Sequence, residues 1–192
     1  MFCRSIRLQV ALAIEYKKPL YLHIRDSYQC FAKLLEEETV GGLMTAVNAK
    51  TCATPEWDQQ LSLVDYFKAG NGRNVVIHCF TGSLEELQYY VDLGCFIGLT
   101  GHVFSLPVQT VQQILHIIPL SKLVIETDAP YMGFKGCREG EDKAKSRKYP
   151  NVPAALPKIA TYIAEILKMS YDELCAVTTR NAHSFFETRM QK

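Results

Sequence analysis

The stretch KLVIETDAPY, residues 122–131, decides the fold. Leu123, Val124 and Ile125 make an apolar run too short for a helix and rich in branched side chains. Such a run reads as a strand buried on both faces, as in a parallel sheet. It stops in Glu126, Thr127 and Asp128, and Ala129-Pro130 closes it. Two carboxylates at the end of a buried strand are costly unless paired, hydrogen-bonded or metal-bound. In α/β folds the carboxyl ends of strands are where sites are built. Asp128 is therefore the anchor of the reading.

The same construction occurs twice upstream. Leu20-Tyr21-Leu22 runs into His23, and Val75-Val76-Ile77 runs into His78. His23, His78 and Asp128 follow one another at intervals of some fifty residues, room for a loop and a helix before the chain returns to the sheet. The three side chains are expected to point into one mouth. Two neutral imidazoles and a carboxylate are a normal ligand set for zinc or another divalent ion. Taken singly, each has a plainer reading. Either histidine can be a satisfied core residue, and Asp128 can cap the loop that follows.

In order along the chain, LHIRDS, IHCFTGS, GLTG and VIETDAPY resemble the TatD family of metal-dependent deoxyribonucleases, which belongs to the amidohydrolase-like TIM barrels. The likeness runs from about Gln9 to about Phe186. It implies that His23, His78 and Asp128 are metal ligands and that Asp128 also activates water. It implies divalent metal ions (zinc, magnesium or manganese), DNA as substrate and hydrolysis of phosphodiester bonds by a metal-activated water. The family also carries a His-X-His pair on its first strand and a Glu in a GE-x-GLD segment. Neither occurs in this sequence. The expected fold is thus α/β, a partial TIM barrel made of the C-terminal strand–helix units of a (β/α)₈ hydrolase, as one domain over residues 1–192 that lacks the N-terminal part. The alternative expectation is a catalytically impaired isoform or incomplete gene product that acts as a binding or structural module.

The bulk properties agree. At 192 residues the chain can bury a real core, yet it is short for a barrel that needs at least ~200 residues and typically ~250. With 48% hydrophobic and 21% charged residues the composition is that of a globular protein. The net charge of +1 gives no overall attraction to nucleic acid, so any must come from a local patch. One candidate is the loop carrying Lys135, Arg138, Lys143, Lys145, Arg147 and Lys148, although it reads almost equally as an ordinary solvated loop. No apolar stretch approaches the ~20 residues that span a membrane, and MFCRSIRLQV has no secretory pattern. Seven scattered cysteines without a Cys-X-X-Cys favour a reducing, intracellular compartment, cytoplasmic or nuclear.

Helices are expected over residues 5–16, 27–38, about 54–69, 83–94, 107–118, from Pro153 onward, and from 170 to about 186. Ser83–Glu86 and Ser170–Glu173 have capping-box spacing. Residues 39–54, with Gly41-Gly42 and little periodicity, read as a long loop. Among the remaining polar groups, Glu126 is expected to support the site without ligating. Arg25 either meets a phosphate or pairs with Asp26, and His102 reads as a surface histidine. The family's Arg-Asn-Glu-Pro segment has Asn151 and Pro153 as counterparts here, with Val152 in the place of the Glu. Four parallel strands would leave two open edges, and self-association through them is expected.

Overall fold

Four short runs of branched residues form the sheet; helices cover one of its faces, and the end of the last helix packs against the other. The computed structural model describes residues 2–16, 18–46, 60–68, 75–138 and 150–186. The strands are β1 (Leu20–Leu22), β2 (Val75–Ile77), β3 (Phe96–Leu99) and β4 (Leu123–Ile125). All are parallel and lie in the order β1-β2-β3-β4, so each joins the sheet beside its predecessor. That arrangement is an arc of a (β/α)₈ barrel.

The helices are α1 (Phe2–Tyr16), α2 (Tyr28–Glu37), α3 (Val40–Ala46), α4 (Leu63–Lys68), α5 (Leu84–Asp92), α6 (Val108–Ile117), α7 (Leu156–Leu167) and α8 (Tyr171–Phe186). Six of them, α1, α2, α5, α6, α7 and α8, match the sequence expectation to within three residues at each end that it bounds. At α5, Ser83 accepts a hydrogen bond from the Glu86 N–H, as the capping box predicts. At α8 the box is reciprocal: Ser170 Oγ accepts from the Glu173 N–H and the Glu173 carboxylate accepts from the Ser170 N–H.

One expected loop within the described residues is helical instead. Val40–Ala46 is a helix and not loop, because Val40 and Leu43 are buried against the core. Burial outweighs the propensity cost of Gly41-Gly42, which is about 1 kcal/mol per glycine. The rest of the expected loop, the start of the helix expected from Thr54, and four of the six basic residues of the 135–148 loop lie outside the described residues. Cys30, on α2, is disulfide-bonded, which a reducing compartment does not anticipate.

Alternation along the strands assigns the two faces of the sheet. Leu22, Val75, Ile77, Ile97, Leu99 and Leu123 join the main core under the helices. Val76, Phe96 and Val124 point the other way and pack with Phe185 of α8. In a closed barrel this second face is the interior. Tyr21 pairs in register with Val76, and Gly98 with Val124, so both share that face. Continuing the alternation brings His23, His78, Glu126 and Asp128 to the same side at the carboxyl ends of the strands.

Candidate active site

At the end of β2 the backbone turns sharply, with Cys79 at φ 50. The end of β4 bends likewise at Asp128, φ 56. Left-handed backbone in a Cys is costly, and it is sustained only where the surroundings fix it. These bends carry His78 and Asp128 toward each other over β3. The His78 Nε2 lies 3.0 Å from Asp128 Oδ1. On its other side, His78 Nδ1 lies 2.8 Å from Glu126 Oε2 and 3.0 Å from the Tyr21 hydroxyl. His23 ends β1 beside them, exposed, with its ring centroid 5.5 Å from that of His78. The expected trio therefore shares one mouth.

Tyr21 was not singled out from the sequence. It donates its hydroxyl proton to Glu126 Oε2 while its ring lies 4.9 Å from the His78 ring. Burial of the hydroxyl, then the bond to Glu126, holds that phenol protonated far above its usual range. Cys79 is likewise kept a thiol. Burial, with the Asp128 and Glu126 charges adding to it, pushes it up to about 11 against the opposing Thr100 hydrogen bond.

The loop after β4 is held by Asn151. Its Nδ2 donates to the Thr127 carbonyl at 2.7 Å and its N–H to the Pro130 carbonyl at 3.0 Å. The sequence marked Asn151 as a family counterpart but gave it no task; its task is to fix the turn that presents Asp128. The mouth is rimmed by Arg25, exposed, which forms no ion pair with Asp26 among the described residues. His102 is not a surface histidine. It is half-buried, bonded to Ser105 Oγ at 3.0 Å, and burial followed by the nearby Arg25 charge lowers its pKa. Of the basic loop, Lys135 and Arg138 are described and exposed.

The donor set suits a divalent ion in kind, with two imidazoles and one carboxylate. Among the described residues, however, no three His, Cys, Asp or Glu side chains are gathered into one chelating group. His78 and Asp128 contact each other directly instead.

A profile of the family described as TatD related DNase matches residues 2–187. The chain belongs to this family. A relative from Salmonella typhimurium, named 3'-5' ssDNA/RNA exonuclease TatD, is 32% identical over 185 residues, covering 96% of this chain and 58% of the relative. A relative of the same name from a Rahnella species is 33% identical over 179 residues, covering 93% of this chain and 55% of that one. Among solved structures, the TatD homologue YJJV from Escherichia coli superposes with a TM-score of 0.62 at 23% identity, over 94% of this chain and 54% of that one. A TatD family hydrolase from Entamoeba histolytica gives 0.58 at 22% identity, over 95% of this chain and 55% of that one. These structures carry the fold, an α/β arc of the TatD barrel. The chain spans a little over half the length of the TatD relatives it matches. No helix among the described residues is long and apolar enough to cross a membrane.

Proposed function

We propose that this TatD chain hydrolyses phosphodiester bonds in single-stranded nucleic acid, DNA in the first instance, inside the cell, at a divalent metal site formed by His23, His78 and Asp128. The observation that carries the reading is the placement of His23, His78 and Asp128 at the carboxyl ends of β1, β2 and β4, with the His23 ring centroid 5.5 Å from that of His78. Family membership and the printed names of the relatives support it. When bound, the ion supplies a water of lowered pKa and polarises the phosphoryl oxygen. Asp128 accepts the proton of the attacking water as its oxygen bonds to phosphorus. The phosphorus–oxygen bond to the leaving sugar breaks, and that oxygen takes up a proton. His23 and His78 hold their positions at the strand ends, and Arg25 at the rim pairs with a phosphate oxygen.

A second reading, a chain that binds nucleic acid without cutting it, is favoured by the direct His78–Asp128 contact, which leaves neither group spread around an ion. One assay separates the two. A 5'-labelled single-stranded oligonucleotide is incubated with the purified chain and Mg²⁺, Mn²⁺ or Zn²⁺. Metal-dependent cleavage that falls roughly 10²–10⁴-fold in Asp128→Asn is the expected result. Retarded but uncut oligonucleotide under every metal would establish the second reading.

A further inference from the structure

We infer that Tyr131 is the stacking residue of the mouth: its ring takes the face of a nucleobase beside the phosphate offered to Asp128, whichever base that is. The inference deepens the reading of this mouth as a nucleic-acid site and rests on it. Tyr131 is 70% exposed, more than any other large apolar or aromatic side chain among the described residues. A single exposed ring is ordinary on a protein surface. This one differs in where it stands and in how firmly its backbone is held.

The Tyr131 N–H donates to the Asp128 carbonyl at 2.8 Å, so a tight turn brings the two residues together. Asn151 fixes that turn from outside. Its Nδ2 donates to the carbonyls on either side, Thr127 at 2.7 Å and Met132 at 3.4 Å, and its N–H donates to the Pro130 carbonyl at 3.0 Å. Farther along, Phe134 is buried and stacked on Phe104, with ring centroids 4.1 Å apart. Gly101 lets the loop after β3 close on this one, since a Cβ there would strike the Met132 carbonyl oxygen and the Phe134 ring. A tyrosine has few torsions to fix, and on so braced a backbone its ring loses little freedom when a base stacks on it. The surroundings suit a polyanion. The charged side chains of residues 129–138 are Lys135 and Arg138, both exposed, and Arg25 stands at the other end of the arc. Such cations position phosphates. The ring adds a contact to the base itself, and it fits an unpaired strand, because a base inside a duplex has both faces covered. Stacking of this kind tolerates any sequence, since every base has a face to offer.

Two labelled strands of equal length test this by fluorescence anisotropy with the whole chain and Mg²⁺. One is a single-stranded oligonucleotide of mixed sequence, the other carries sugar and phosphate but no bases, and both are phosphorothioate-linked so that they stay whole. Tyr131→Ala is expected to weaken binding of the base-bearing strand by about 5–150-fold. Tyr131→Leu, apolar but without a ring face, should do the same and serves if the alanine variant does not fold. Tyr131→Phe keeps the wild-type affinity. The base-free strand binds the wild type and every variant alike, and thermal unfolding is unchanged. Wild-type affinity for the base-bearing strand in Tyr131→Ala or Tyr131→Leu overturns the inference. So does an equal loss on both strands, which would mark a structural role, and so does a wild type that binds neither. Failure of the hydrolytic reading is separate: an ordinary strand left uncut under every metal, while binding still depends on Tyr131, removes the cleavage and leaves this inference standing.

Discussion

Cys95, at the start of the turn into β3, is fully buried, and burial pushes its thiol up to about 12 from 9.0, against a smaller opposing pull from Lys122. The folded chain therefore keeps a proton that the unfolded chain gives up, so stability is full below about pH 9 and is lost as pH rises toward 12. Urea midpoints measured across this range are expected to fall in the wild type and to fall less steeply in Cys95→Ala. Parallel declines would remove Cys95 as the cause, leaving the raised Cys79 and Tyr89 groups. The identities of His23, His78 and Asp128 were legible in the sequence because each follows an apolar run. Tyr21 was not legible. It sits inside such a run, and its exposed ring with an inward-turned hydroxyl follows from the position of Glu126, three strands away in the sheet.

At the level of elements, local signals served best where the chain satisfies its own backbone. Ser83 accepts from the Glu86 N–H with its backbone extended at φ −77, ψ 166, and Glu85 and Glu86 fill the first turn of α5. Ser83→Ala should cost about 1 kcal/mol, read as a lower unfolding midpoint with metal binding at the mouth unchanged. Wild-type stability in this variant would mean that tertiary packing alone sets the start of α5. Where burial and propensity disagree, the sequence misled, as at α3. Its Val40 and Leu43 face the core, and two adjacent glycines interrupt the apolar period between them. Helix α8 was legible as a helix, but its role against the second face of the sheet was not. Phe185 packs with Val76, Phe96 and Val124, residues that come together only in the assembled sheet.

Among the described residues, β1 and β4 are the edges of the sheet. Beside β4 lies a mostly apolar cleft of about 360 Å³ lined by Ile125, Leu156, Tyr171, His183 and Phe186, of which Leu156, Tyr171 and Phe186 are exposed. Free edges and exposed apolar surface favour pairing with another chain. Sedimentation velocity at micromolar concentration is expected to show self-association that Phe186→Lys weakens. A wild-type monomer across that range would contradict it. The arc architecture was readable from four short strands spaced by helices, whereas the contacts across the mouth depend on bends at Cys79 and Asp128 that no local pattern announces.

The central claim is that this arc draws His23, His78 and Asp128 around one divalent ion. Crystals of the chain grown with Mn²⁺ or Zn²⁺ and measured at the metal's absorption edge test it most directly. The expected result is an anomalous peak within coordination distance of all three side chains, with His78 bound through Nε2. Well-ordered crystals with no peak among these residues, or with the ion held elsewhere, would contradict it.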